Sequence, residues 1–365
     1  MVLHSQLIIA AVSSRIYVQA AIEAGFEVIA IDAFADVDTQ ALASKVFEVP
    51  MIDGQFDAAK LLSVLHQLDL SNCLGLCYGA GFEAQPELLA SIQKIIPLIG
   101  NTALVVEQIK NPVNFFGLCD ALSMAYPETQ FERPKQTNNW LQKKIGGSGG
   151  AHIKRLLPLH LPSKHNDYYQ KNQTGMPVSC LFLADGKNVQ VIGFNEQWCS
   201  PTALLPYRYA GAVSQLTLED TLKNKLETFI KGITAKLGLL GLNSCDCIVE
   251  SDSVFMLEIN PRLSATLGLY RAKKGCLFAA HVAACLGHLK QWPTVDKQSR
   301  AHHIIYANKT AHVPLDMDWP DWVCDIPQPN SAIAAGAPLC TVAADARTAK
   351  FAKQKVLQRA AELHD

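Results

Sequence analysis

Ser244-Cys245-Asp246-Cys247-Ile248-Val249-Glu250-Ser251-Asp252-Ser253-Val254-Phe255-Met256-Leu257-Glu258-Ile259-Asn260-Pro261-Arg262 reads as two strands joined by a tight turn, with a carboxylate, Asp246, on the first and a Glu-x-Asn-x-Arg set on the second. Residues two apart in a strand point to the same face, so Glu258 and Asn260 are expected to project together, with Arg262 beside them. Oxygen donors and a guanidinium then converge on one spot. Hard divalent cations such as magnesium take oxygen ligands, usually one or two carboxylates together with substrate phosphates, and arginine suits phosphoryl oxygens. The grouping points to a metal–nucleotide site.

Upstream of this pair, residues 217–237 carry Leu222, Leu226, Phe229, Ile230, Ile233 and Leu237 at helical spacing, and Gly238 ends the helix. Residues 180–184 read as a strand, followed by the hairpin turn signal Asp185-Gly186. Before them, Trp140-Leu141-Gln142-Lys143-Lys144-Ile145 enters Gly146-Gly147-Ser148-Gly149-Gly150, and Ala151-His152-Ile153-Lys154 leaves it. Strand, glycine-rich loop, strand is a hairpin whose tip has little side chain in the way, so its backbone N–H groups can approach phosphate oxygens. It is not a Walker loop, because the lysine precedes the glycines and the Gly-Lys-Ser/Thr ending is absent. A flexible turn is the competing reading. His152 either touches phosphate or packs on the hairpin. Asn111-Pro112 supplies a cap and a first-turn proline for a helix through residues 115–125, ending by Pro127.

The chain opens with a strand at residues 7–12, a helix capped by Ser13 or Ser14 and stopped by Gly25, and a second strand at residues 28–32. That spacing predicts a parallel βαβ unit. A further buried strand at residues 74–78 runs into Gly79-Ala80-Gly81-Phe82-Glu83 and a helix near Pro86, and glycine turns at strand ends are where α/β sheets bind ligands. Asp32 sits where a ribose-binding acid would follow a second strand, but the first turn, Ala11-Val12-Ser13-Ser14-Arg15, lacks the glycines a pyrophosphate needs. Asp32 is therefore read as a turn or cap residue and NAD is excluded here. From about Ala301 a strand at residues 304–307, short turns and a final helix at residues 346–363 predict a small β-rich appendage without chemistry of its own.

The composition narrows the classes further. The 365 residues are 49% apolar and 18% charged with a net charge of -1, which describes an ordinary soluble globular chain without the electrostatic footprint of a nucleic-acid or anionic-membrane binder. No apolar run approaches a membrane span, and the N-terminus lacks the basic region of a secretion signal, so a cytoplasmic protein is expected. The eleven cysteines include no paired CxxC sets with zinc spacing and read as free thiols of a reducing compartment.

In this order, the pieces resemble the ATP-grasp superfamily, which includes biotin carboxylase, carbamoyl phosphate synthetase and D-alanine:D-alanine ligase. The resemblance rests on Lys143 with the loop to Gly150, the Gln170-Lys171 segment, and Asp246 twelve residues before Glu258-Ile259-Asn260-Pro261-Arg262. It covers roughly residues 1–290. It implies an α/β architecture: a Rossmann-like parallel-sheet domain over residues 1–100, an ATP-grasp domain over residues 101–300 with a glycine-loop subdomain at about residues 135–185, and the appendage over residues 301–365.

The same resemblance implies roles. Lys143 would pair with the α- and β-phosphates of ATP, while Gly147, Ser148, Gly149 and Gly150 would close over them. Gln170, Lys171, Asn172 and Gln173 would form the hinge beside adenine. Asp246, Glu258 and Asn260 would hold magnesium or manganese. Arg262 would contact the transferred phosphoryl group or an acyl intermediate. Two departures stand out: the Asp-Lys pair common at the helix start reads Lys110-Asn111-Pro112, so either Lys110 reaches in or the phosphate charge is met elsewhere, and Gln170 stands where glutamate is common.

The implied chemistry is carboxylate activation by ATP to an acyl phosphate and capture by an amine, both substrates being small molecules. A weaker likeness to carboligase-like members suggests cofactor assembly. Gly79, Gly81, Glu83 and Arg208 are candidate substrate contacts, Arg208 either clamping a carboxylate or stacking between aromatics. A bicarbonate-dependent carboxylase or carbamoyl-forming enzyme and an inactive nucleotide-binding regulator are the rival readings. An apolar face on the first domain is expected to support a homodimer.

Overall fold

A computed structural model of the protein describes residues 6–158, 166–271, 273–289, 291 and 298–363. The N-terminal block is a four-stranded parallel sheet in the spatial order Lys45–Glu48, Glu27–Asp32, Gln6–Ala11, Cys73–Tyr78. Three of its strands, all but the edge strand Lys45–Glu48, are near-continuous apolar runs because both faces are covered. Between the first two strands runs the helix Arg15–Glu23. Ser14 precedes that helix without capping it through its side chain; its backbone N–H and its hydroxyl both donate to Asp32, each at 2.6 Å. Asp32 also accepts from the N–H groups of Phe34 and Ala35, so it organises the turn, as the sequence predicts.

The glycine-loop subdomain is a small sheet ordered Thr129–Gln130, Asp167–Lys171, Trp140–Lys144, Lys154–Arg155. The largest sheet has eight strands. Its order is Ser253–Asn260, Leu240–Glu250, Met176–Asp185, Val189–Cys199, Tyr209–Val213, Ser299–Tyr306, Pro338–Ala346 and Val323–Cys324, with antiparallel neighbours throughout. One face buries the amphipathic helix Asp220–Leu237 through Leu226, Phe229, Ile230 and Ile233. That helix starts later than the sequence predicts, after Glu219, which makes no side-chain cap. Similarly, the helix Pro112–Ala121 stops short of residue 125 because the chain reverses at Ser123, whose φ is 53°.

The other face of the large sheet packs on the N-terminal block. Leu181, Leu183 and Leu242 share a core with Tyr17, Val18 and Ala21, and with the apolar helix Cys276–Cys285. One apolar face of the first block is thus buried inside the chain. The C-terminal segment also departs from expectation. It is no separate appendage: Ser299–Tyr306 pairs directly with Tyr209–Val213, so the central sheet continues through it, and the helix Ala349–Glu362 covers that end. Among the described residues no helix is long and apolar enough to cross a membrane.

Candidate functional site

The strands Leu240–Glu250 and Ser253–Asn260 pair so that Asp246 lies directly opposite Glu258, with a register shift immediately after Asp246. Asn260 donates from Nδ2 to Asp246 Oδ2 at 2.9 Å, and Gln197, on the strand Val189–Cys199 two places along the sheet, donates to Asp246 Oδ1 at 3.3 Å. Lys110, the last residue of the helix Ala103–Lys110, reaches the same place. Its Nζ donates to Glu258 Oε2 at 2.9 Å and to Asn260 Oδ1 at 2.8 Å. Burial and the facing Glu258 carboxylate push Asp246 up to about 7. Glu258 would be raised by loss of water, but Lys110 holds it below the ordinary carboxylate range. Among the described residues no three His, Cys, Asp or Glu side chains are grouped so that they could hold a metal ion by themselves. Two facing carboxylates with an amide oxygen still fit magnesium, which is commonly held by one or two carboxylates plus substrate phosphates. The Glu258 side chain is 35% exposed, open to the cleft.

Lys143 stands on the small sheet opposite Tyr168, is buried, and donates to Gln170 Oε1 at 2.6 Å. Burial pushes its ammonium down to about 8, against a partly compensating attraction from Glu258. Gln170 in turn donates to Thr129 Oγ1 at 3.0 Å. Gln170 is therefore a mid-strand partner of Lys143. Of the other residues expected at a hinge, half-exposed Lys171 lies over the Trp140 ring, Asn172 accepts from the Tyr207 hydroxyl, and Gln173 donates to Glu250. The segment thus crosses from the small sheet to the tip of the large-sheet hairpin.

The glycine loop is folded down onto the large sheet. Tyr209 N donates to Gly149 O at 2.9 Å, and a Cβ on Gly150 would lie 1.8 Å from Tyr207 O. His152 packs its ring against Gly147 and approaches the carbonyl of Ser148, at the loop tip, at 3.3 Å.

Arg262 lies beyond the strand end, since Pro261 has no N–H to continue the ladder. Its guanidinium turns to the N-terminal block, where Nε donates to Glu83 Oε1 at 2.6 Å. Glu83 is buried and its other oxygen accepts from Gly81 N at 2.7 Å. Burial opposes ionisation of Glu83, yet Arg262 and Lys110 hold its carboxyl below the usual range. Gly79 contributes space: a Cβ there would lie 2.7 Å from the Tyr17 ring. Arg208 makes no side-chain hydrogen bond to this cluster among its contacts. Its nitrogens are taken by Ser200 O, Ser200 Oγ and Gly336 O, and its plane lies 3.7 Å from the Tyr306 ring centroid. The stacking alternative describes Arg208 as placed here; it ties the loop at Ser200 to the C-terminal segment. Gln197 joined the site without any motif to signal it.

Residues 108–266 match the family described as ATP-grasp domain. An uncharacterized protein of Methanocaldococcus jannaschii is 22% identical over 353 residues, covering 91% of this chain and 86% of that protein. Among solved structures, N5-carboxyaminoimidazole ribonucleotide synthetase from Thermotoga maritima superposes with a TM-score of 0.68 at 11% identity over 97% of both chains. L-amino acid ligase from Bacillus licheniformis gives a TM-score of 0.68 at 11% identity, over 97% of this chain and 96% of that one. The matched domain and the shared fold agree with one another: residues 108–266 are an ATP-grasp domain, and the chain has the fold of ATP-grasp proteins.

Proposed function

We propose that the protein is an ADP-forming ligase that activates a small carboxylate with Mg-ATP as an acyl phosphate and joins it to an amine. The observation that carries this reading is the meeting of Lys110 with Glu258 and Asn260, next to Asp246 and within electrostatic reach of Lys143, on the strand that leads into the glycine loop. Ammonium groups and a hard-cation oxygen set in one cleft suit a triphosphate and little else. In this proposal Lys143 and Lys110 bind phosphate oxygens, the N–H groups of Gly147 to Gly150 close over them, and Asp246, Glu258 and Asn260 hold the metal. Magnesium, when bound, supplies charge to the phosphoryl oxygens. Arg262 orients the acyl oxygen, fixed by Glu83. The carboxylate oxygen attacks the γ-phosphorus, ADP leaves, and the amine then displaces phosphate from the acyl carbon. No protein nucleophile is needed, because positioning and charge carry such transfers. We place the reaction in the cytoplasm, in keeping with eleven free thiols.

The test is magnesium-dependent ATP consumption, with ADP and AMP resolved, across amino acids, small carboxylates, amines and bicarbonate, beside a Glu258→Ala control. ADP formed only with one acid, and lost in the control, supports the ligase. Dependence on bicarbonate selects a carboxylating reaction, the second reading, which the likeness to a carboxyaminoimidazole ribonucleotide synthetase favours. ATP binding without turnover under every mixture rejects both and leaves a nucleotide-binding regulator.

A further inference from the structure

The N-terminal block lacks a dinucleotide loop, yet it grips the chain on both sides of Arg262. The Tyr78 hydroxyl lies 2.9 Å from Asn101 O and 3.1 Å from Pro261 O, and Asn101 Nδ2 donates to the same Pro261 carbonyl at 3.0 Å. One residue past the arginine, Leu263 N donates to Tyr78 O at 3.2 Å, and Leu263 O accepts from the Tyr17 hydroxyl at 3.3 Å. Asn101 is itself fully occupied. Its Nδ2 donates to Asn243 Oδ1 at 2.8 Å and its Oδ1 accepts from Leu240 N at 2.8 Å, which locks it to the strand that carries Asp246.

Pro261 lies between Asn260, in the oxygen set, and Arg262. Its carbonyl is the hinge about which the guanidinium leaves the strand, because proline's fixed φ leaves ψ as the main soft torsion there. The Asn101 amide donates to that carbonyl, and the Tyr78 hydroxyl, whose single proton is shared between Pro261 O and Asn101 O, lies against it, so the two groups together fix ψ. Tyr78 packs its ring against Phe82 whether or not it has a hydroxyl, so the hydroxyl is not needed to fill the core. A buried tyrosine hydroxyl and a buried amide that both converge on one carbonyl beside Arg262 call for an account beyond packing.

We propose that Tyr78 and Asn101 are positioning residues for Arg262, so that the N-terminal block serves as the alignment frame of the phosphoryl-transfer site. The inference rests on the ligase reading and assigns these residues no contact with substrate. Misplacing a catalytic group by about 1 Å costs on the order of a hundredfold in rate, which sets the scale for the hydroxyl.

The test compares Tyr78→Phe, Asn101→Asp, Arg262→Ala and the double variant Tyr78→Phe/Arg262→Ala. Turnover is measured with Mg-ATP and the acid and amine giving the highest rate in the panel above, and MgADP affinity is measured by calorimetry. Tyr78→Phe is expected to lower kcat about ten- to a hundredfold with the KM for ATP and the MgADP affinity within about twofold of the parent. Asn101→Asp, which keeps the shape but loses the donor, should fall in the same direction. In the Arg262→Ala background the tyrosine change should cost nothing more, since its effect passes through the arginine. A loss from Tyr78→Phe that multiplies with that of Arg262→Ala overturns the positioning role and leaves the ligase reading standing. Unchanged kcat in both Tyr78→Phe and Asn101→Asp does the same. An Arg262→Ala protein with full turnover sinks the ligase assignment of Arg262 as well.

Discussion

Lys143 is the residue whose environment has the most direct functional reading. Its ammonium is buried against Gln170 and titrates at about 8, well below a free lysine, because water is excluded. Only the protonated form donates three hydrogen bonds to phosphate. MgADP affinity should therefore be level below pH 8 and fall by up to about tenfold per pH unit above it, as one proton must be taken up on binding. Calorimetry between pH 7 and 9.5 checks this. Lys143→Met should bind more weakly and lose the alkaline decline; if the decline persists in the variant, another group is responsible. For Arg262, loss of a preorganised charge donor predicts that Arg262→Ala lowers turnover by about 10² to 10³. A much smaller loss with intact nucleotide binding would reject its role. Lys110 reaches the oxygen set from the preceding helix. The helix start offers a proline where a lysine is common, and the ammonium comes from two residues earlier onto Glu258 and Asn260.

At the scale of elements, the glycine loop distinguishes freedom from fit. Gly149 has φ of +65° but open space around its Cβ position, whereas Gly150 has φ of +74° and faces Tyr207 O at 1.8 Å. An alanine at Gly149 meets only the backbone penalty of about 1 to 2 kcal/mol. At Gly150 it must also push the loop off Tyr207 and break the bond from Tyr209 N to Gly149 O. Gly150→Ala should raise the KM for ATP and expose the loop to protease far more than Gly149→Ala does. Limited proteolysis with and without MgADP reads this out, and the reverse ranking would show that the loop does not work by docking on the Tyr207 segment. The hairpin of Leu240–Glu250 and Ser253–Asn260 is the opposite kind of element, a regular strand pair at one edge of the large sheet, and its pairing alone brings Asp246 and Glu258 face to face.

Over the whole molecule, three distant segments are joined by buried His281. Its Nδ1 accepts from Leu242 N at 2.8 Å, which leaves Nε2 to donate to Ile99 O at 3.1 Å. Burial lowers its pKa to about 4. Because the unfolded chain takes up this proton near pH 6.5 and the folded one only near 4, stability should start to fall as pH drops below 6.5 and lose about 3 kcal/mol from this group by pH 4. Urea unfolding across that window measures it. His281→Gln should be less stable at pH 7 and show a flatter acid decline; an unchanged slope would assign the acid sensitivity elsewhere. A second long-range tie, Arg15 to Asp325 at 2.8 Å, fastens the first helix to the C-terminal segment.

Local chemistry was enough to read the parallel βαβ start, the Asp185-Gly186 turn, the glycine hairpin and the Asp246–Glu258 pair, because strand period, turn residues and spacing act within about twenty residues. Reading them together placed Lys143 and the oxygen set in one family of folds. The pairing of Glu83 with Arg262 across 179 residues, the grip of Tyr78 and Asn101 on Pro261, and the spending of Arg208 on Ser200 and Gly336 leave no such local trace. Nor does the entry of Ser299–Tyr306 into the central sheet, since strand edges join through backbone groups that every residue carries. Tertiary structure decided these contacts for one physical reason: packing two domains face to face selects partners by position in space, and sequence separation has no bearing on which side chains then meet.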